Sequence, residues 1–315
     1  MKKALIVGIN NYPSSPLSGC VNDANSLGAI LESNGDGSPN FGVRMLTCPS
    51  TDISRPVLRE AIEQLFSGDS DMAFLYFSGH GYIKSTGGYL VTTDARKYDE
   101  GVSMDDVLSL ANQSKAKNKI IILDCCHSGA MGTPSLSENS TAQLSEGLSV
   151  LTASRDSEVA IEINGAGVFT SLLIDALKGG AADIRGNITP GSLYAYVDEA
   201  LGAWDQRPIF KTNVTNFSPL RIIQPKVPFD ILRKIIQYFP TADSEHQLNP
   251  TYEYTELTAD PERVKIFKHL QSFQSVGLVI PVNAEFMYFA AINSTSCRLT
   301  ALGYQYWRLV NEKKL

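Results

Sequence analysis

No stretch of this 315-residue chain approaches the ~20 consecutive apolar residues that a membrane-spanning helix needs, so no membrane association is expected. The opening Met1-Lys2-Lys3 before an apolar run resembles an export signal. Its apolar part ends already at Asn10-Asn11-Tyr12-Pro13 and no small-residue cleavage site follows, so it reads as a first strand instead. Cysteine is scarce: there are five, an odd number, with one adjacent pair. Neighbouring residues rarely bridge and an odd count leaves a free thiol, so the cysteines make a poor disulfide framework and a reducing, cytoplasmic setting is expected. Positive charge is also short, with 27 Lys plus Arg against 33 Asp plus Glu and a net of −6, which gives no whole-chain footprint for nucleic acid. Charged residues make up 19% and hydrophobic ones 43%, ordinary values for a globular protein and not for a disordered one.

The most informative stretch runs from Lys119 to Gly129. Ile120, Ile121, Ile122 and Leu123 form an apolar run of strand length, suited to a parallel sheet covered on both faces. It stops at Asp124-Cys125-Cys126-His127-Ser128-Gly129, which puts thiols at the carboxyl end of a core strand, where open α/β sheets place ligands and chemistry. A strand-end cysteine is also a common packing residue, so the thiol alone does not decide the matter.

Around it, strand-like and helix-like segments alternate. Lys3 to Ile9 reads as a strand and Asp23 to Ser33 as a helix. Ser54 to Phe66 is a second helix with Pro56 in its opening turn, and Ala73 to Phe77 a buried strand ending in Ser78-Gly79-His80-Gly81. Ser103 to Ala111 is a helix with Ser103 as its cap, Ser149 to Ala153 a further strand, and Phe169 to Leu177 and Ser192 to Leu201 two more helices. The alternation predicts an α/β sandwich with a mainly parallel sheet. Gln224-Pro225-Lys226-Val227-Pro228 then reads as a stiff linker between a first domain, 1–224, and a second, 225–315. In the second domain Phe229 to Tyr238 and Pro261 to Phe273 read as helices, Met287 to Ile292 as a strand, and Leu299 to Val310 as a closing helix.

The chain has only four histidines. His80 ends a buried strand between two glycines, so two core strands can deliver an imidazole and a thiol to the same sheet edge. The imidazole matters because only the thiolate attacks, and a base within hydrogen-bond reach raises the thiolate fraction. His127 is a rival base, but adjacent side chains on an extended segment point to opposite faces. Cys125 is a rival nucleophile that should face away from Cys126 for the same reason.

Ser78-Gly79-His80-Gly81 together with Asp124-Cys125-Cys126-His127-Ser128-Gly129 resembles the paired signature of caspase-like cysteine peptidases, most closely the metacaspase branch, whose motif reads Asp-Ser-Cys-His-Ser-Gly. Leu5 to Asn10 and Leu17 to Ala24 are similar to that family's opening strand and first helix, so the resemblance covers about residues 3–224. It implies a caspase-like α/β/α sandwich and a cysteine endopeptidase with Cys126 as nucleophile and His80 as catalytic base. It also implies an oxyanion hole from the backbone N–H groups of Gly81 and Cys126. Asp23 and Asp124 match positions lining an acidic S1 pocket in metacaspase-like relatives, which implies cleavage after Arg or Lys, and Asp156 or Glu158 is a candidate third carboxylate. Asp23 has a plainer alternative as a helix N-cap, and Asp156 and Glu158 as solvated loop residues. No cofactor or metal is required. Some metacaspases need calcium, but no twelve-residue calcium loop is present, so calcium is left unassigned, with Asp36 and the Asp105-Asp106 pair as the nearest candidates.

The segment from Ala130 to Gly147 contains no Lys or Arg. It is polar and longer than most connections, and its place directly after the thiols reads as a mobile active-site loop, with a plain surface excursion as the alternative. Family members are often matured by cleavage there, yet an enzyme with an acidic pocket cannot cut such a loop itself. The second domain resembles a winged helix-turn-helix. It carries 10 Lys plus Arg against 9 Asp plus Glu, so nucleic acid is not its expected partner despite Arg263, Lys265, Lys268 and His269 on one helix. The expected partners are a protein or peptide substrate for the first domain and a regulatory protein for the second. The alternative is a catalytically silent signalling scaffold, or a nucleic-acid-binding regulator acting through the second domain.

Overall fold

A computed structural model describes the chain except residues 49, 85–86, 126–142, 154–161, 164–165 and 202–207. The described residues divide into two compact units: Met1–Asp183 with Asn187–Ile223, and Ile184–Gly186 with Gln224–Leu315.

The first unit follows the alternating pattern. Its elements in chain order are β1 (Lys2–Ile9), α1 (Cys20–Leu31), β2 (Phe41–Cys48), α2 (Arg55–Phe66), β3 (Met72–Ser78), β4 (Gly81–Lys84), β5 (Gly87–Arg96), β6 (Asp99–Ser103) and α3 (Met104–Gln113). There follow β7 (Asn118–Asp124), β8 (Leu148–Thr152), β9 (Glu162–Ile163), β10 (Ala166–Gly167), α4 (Val168–Asp175), β11 (Asn187–Ile188), α5 (Pro190–Leu201), β12 (Ile209–Asn213) and β13 (Arg221–Ile222). The central sheet has the order β12-β8-β7-β3-β1-β2, parallel throughout except for the edge strand β12.

Strand periodicity assigns the two faces. On β7, Ile121 and Leu123 pack into one core with α2 and α3, while Ile120 and Ile122 pack into the other with α1, α4 and α5. Each face is therefore apolar and covered, which is why the strands read as unbroken hydrophobic runs. Ser103 caps α3 by accepting from the Asp105 N–H at 3.2 Å, as its sequence position predicts. A separate antiparallel sheet, β4-β5-β6, grows out of the turn after β3.

The second unit contains α6 (Phe229–Leu232), α7 (Ile235–Tyr238), β14 (Glu245–Gln247), α8 (Pro261–Ser275), β15 (Val279–Val282), α9 (Met287–Ile292), β16 (Ser296–Leu299) and α10 (Ala301–Asn311). Its three strands form an antiparallel sheet of order β14-β16-β15. Asp260 caps α8 and Thr300 caps α10. Two local expectations are corrected here. Residues 229–238 form two short helices, and Met287–Ile292 is a helix, not a strand. The run of apolar letters hid a helical spacing: Met287, Ala290 and Ala291 are buried while Tyr288 and Phe289 are exposed.

Candidate active site

The carboxyl edge of the central sheet gathers candidate site residues. Ser78, the last residue of β3, pairs in register with Asp124, the last of β7. The Gly79 N–H reaches the Asp124 carbonyl at 3.4 Å, so the turn that carries His80 is fastened to the end of the strand that leads to the cysteines.

His80 is held from three directions. Its Nε2 lies 2.7 Å from the Ser15 carbonyl. A carbonyl only accepts, so Nε2 carries the hydrogen and the lone pair of the neutral ring is on Nδ1. The ring sits against Tyr12, with centroids 4.6 Å apart. The Tyr12 hydroxyl accepts from the His80 backbone N–H at 3.0 Å and donates to the Val91 carbonyl at 3.2 Å. Burial pushes the Tyr12 phenol far above its ordinary pKa, although the His80 N–H works the other way, so the hydroxyl stays protonated and serves both bonds. A Cβ at Gly79 would lie 2.4 Å from that hydroxyl, so the Ser-Gly-His-Gly turn requires glycine at this position.

The two aspartates singled out in sequence are brought together on the opposite face of the sheet. Asp23 and Asp124 are 3% and 7% exposed, respectively, and a Cβ at Gly167 would stand 3.0 Å from one carboxylate and 2.9 Å from the other. They therefore face each other across the width of a single residue. Asp23 accepts from the Gly167 N–H at 3.0 Å, and Asp124 from the Thr170 hydroxyl at 2.6 Å. Thr170 has one proton and gives it to Asp124, so the buried Tyr76 hydroxyl, 2.5 Å away, donates to Thr170. Burial first, and then the charges of Asp124 and Asp23, raise the Tyr76 pKa well above its usual value and keep it a donor. Asp23 is not an N-cap: Gly19 caps α1, and Asp23 lies within its first turn.

Cys125 is 1% exposed and packs in the core under α2 and α3, as does Cys48. Cys20 and Cys297 are also buried, and burial raises the Cys297 thiol to about 12. Gly81 opens β4 beside His80. Cys126, His127, Asp156 and Glu158 lie outside the described residues, as does 130–142 of the basic-free segment. Among the described residues no three His, Cys, Asp or Glu side chains converge as a metal site requires, and no helix is long and apolar enough to cross a membrane. Asp36 is engaged with Ser38, and Asp106 pairs with Arg59 at 2.7 Å.

Four participants were not singled out in the sequence. Ser15 acts through its carbonyl, which no residue type announces. Tyr12, Gly167 and Thr170 carried weak signals, the best being a lone threonine in the apolar start of α4.

Comparison with known proteins places this geometry. The caspase domain family matches residues 1–216. The chain belongs to the caspase domain family. That family implies a cysteine peptidase acting on proteins. Two solved structures share the fold. Protein GSU0716 from Geobacter sulfurreducens has a TM-score of 0.52 at 18% identity, over 71% of this chain and 100% of that one. Caspase-1 from Spodoptera frugiperda has a TM-score of 0.51 at 13% identity, over 71% of this chain and 90% of that one. No curated protein sequence matches the chain.

Proposed function

We propose that this caspase-domain protein is a cysteine endopeptidase of the metacaspase branch, in which Cys126 attacks the scissile carbonyl and His80 manages the protons. The observation that carries the reading is the His80–Ser15 hydrogen bond. It fixes the ring so that Nδ1 is the basic nitrogen, on a turn fastened to the end of β7 two residues before Cys126. Nδ1 takes the thiol proton, and the thiolate adds to the carbonyl carbon. The oxyanion is held by backbone N–H groups, for which Gly81 and Cys126 are our assignments; one such donor contributes about 3 kcal/mol. Collapse breaks the C–N bond, and the imidazolium returns its proton to the leaving amine. The resulting thioester is hydrolysed by water activated through the same imidazole, which regenerates the thiol.

Cleavage after Arg or Lys is supported by the paired Asp23 and Asp124 carboxylates, which a guanidinium or ammonium would complement. Asp156 and Glu158 remain assigned only by sequence position. The second unit is read as a winged-helix-like regulatory module on its β14-β16-β15 order with α8 preceding β15, and its exposed Phe286, Tyr288 and Phe289 suit a protein partner.

Fluorogenic Arg, Lys and Asp peptides, assayed with and without calcium on wild type, His80→Ala, Cys126→Ala and Cys125→Ala, test the reading. Cleavage of the basic peptides is expected to survive only in wild type and Cys125→Ala. Activity that persists in Cys126→Ala and is lost in Cys125→Ala would reverse the nucleophile assignment.

A further inference from the structure

A groove of about 580 Å³ leads away from His80 across the β4-β5-β6 sheet. Its near end is formed by Tyr12, Ser15 and His80, and its far end by Lys84 at the end of β4 and by Arg96, Lys97 and Tyr98 at the tip of the β5–β6 hairpin. It lies on the Tyr12 and Val91 side, whereas Asp23 and Asp124 associate with Thr170 and Tyr76 over the other face. The two charged features thus flank the histidine turn from opposite sides.

The charge of the groove is not balanced internally. Among the described residues Glu100 is its only lining carboxylate, and it is committed to an ion pair with Lys84. Arg96 approaches Asp99 only at 3.9 Å, and Asp99 is already paired with Arg55 at 2.6 Å. Lys97 stands over the Tyr98 ring at 5.1 Å and meets no carboxylate among the described residues. On a chain with a net charge of −6, this leaves a locally positive groove.

Tyr98 adds a second observation. It has φ of 73°, a left-handed conformation that bulky residues rarely adopt, and it is 80% exposed. The conformation is held by its N–H bond to Glu100 at 2.9 Å and by the ammonium groups of Lys84 and Lys97, each within 5.3 Å of its ring centroid. Backbone strain maintained in this way collects at binding sites. Here it fixes an aromatic platform between two cations, in the groove that begins at His80.

We propose that this groove is the channel for the leaving-group half of the substrate, and that Arg96 and Lys97 make it select acidic side chains downstream of the cut. The inference rests on the peptidase reading and extends it. His80 must protonate the departing amine, so the segment attached to that amine lies on the histidine side of the scissile bond, where the groove begins. The preferred substrate is then polar in sequence, basic before the bond and acidic after it. Two exposed charge pairs of this kind favour the acidic peptide by about three- to tenfold in kcat/KM, and the preference shrinks as salt is raised.

The test uses the full chain, with calcium present and absent, and two substrate types. One is an Arg aminocoumarin amide, which has no downstream residues. The other is a pair of internally quenched peptides identical up to a single Arg and carrying either Asp-Glu or Lys-Lys downstream. Wild type is expected to prefer the acidic peptide, and Arg96→Glu/Lys97→Glu to bring the ratio of kcat/KM values to one or below. If the wild type cleaves the amide and both peptides with a ratio near one, or the ratio survives the charge reversal, the inference is overturned while the peptidase reading stands. If no substrate is cleaved, both fall together.

Discussion

Nε2 of His80 donates to the backbone carbonyl of Ser15 at 2.7 Å, so the orientation of this imidazole depends on the loop after β1 and not on a third side chain. Replacing the Ser15 side chain would leave this contact in place. The vulnerable support is the neighbouring Tyr12, whose hydroxyl is the acceptor for the His80 N–H and the donor to Val91.

Tyr12→Phe keeps the ring against the imidazole and removes only the hydroxyl. A buried N–H without its acceptor costs about 1–3 kcal/mol, so the melting temperature should drop. The histidine turn loses its anchor, so kcat should fall more than KM rises. Steady-state kinetics beside a thermal melt separates the two effects. A variant that loses stability but keeps its kcat would remove Tyr12 from the positioning of His80.

Asp124→Asn preserves shape and still accepts from the Thr170 hydroxyl, but deletes one of the two facing charges. If those carboxylates receive a substrate cation, kcat/KM for Arg peptides should fall at least about tenfold, which corresponds to ~1.4 kcal/mol, while peptides lacking a basic residue gain relative to them. Equal losses on every peptide would point to a structural role for the pair.

How much of this was legible in sequence differs between the two units. In the first, the β-α alternation and the apolar runs of β1, β3 and β7 are strong because strands buried on both faces permit no polar interruption. His80 stood out because glycines flank it. What was hidden acts through backbone or through space. The Ser15 carbonyl has no residue signature, and the meeting of Asp23, Asp124 and Gly167 joins segments more than forty residues apart. In the second unit, six residues at Met287–Ile292 are too few for period 2 and period 3.6 to be told apart by apolar content, and only the burial of Met287, Ala290 and Ala291 separates them.

The second unit should weaken in acid. His246 donates from Nδ1 to the Tyr238 carbonyl at 3.0 Å, and its Nε2 accepts from the Tyr252 hydroxyl at 3.1 Å, so the folded state holds the ring neutral. Burial, partly opposed by the Tyr238 carbonyl, lowers its pKa below the ordinary 6.5. A base with a depressed folded-state pKa contributes stability that is full above the unfolded value and is lost as pH falls. His269, bonded to the Tyr238 hydroxyl at 2.6 Å and lowered by burial and then by Lys234 and Lys265, acts in the same direction. Urea unfolding of the full chain between pH 7.5 and 5, followed through Trp307 in a Trp204→Phe background, should show its midpoint falling below about pH 6.5. His246→Leu should flatten that dependence, and a wild-type midpoint constant over the range would contradict the assignment.

An enzyme that selects Arg or Lys cannot cut its own segment 130–147, which has neither. Self-cleavage, where it occurs, must use a basic site elsewhere, and Arg155, Arg185 and the Arg221 to Lys226 linker are the sequence candidates. Arg221 is tied down: its guanidinium donates to the Ser33 and Leu177 carbonyls at 2.8 Å each, and the next residue, Ile222, donates its N–H to Asn34 at 3.1 Å. A protease needs an extended segment it can lift into its site, and lifting this one breaks several bonds at once. Cleavage after the exposed Lys226 is therefore expected before cleavage after Arg221. Mass spectrometry of purified wild type against Cys126→Ala reads the outcome directly. A cut within 130–147 present only in the wild type would overturn the basic specificity itself, because no acidic pocket accounts for cleavage in a stretch without a cation.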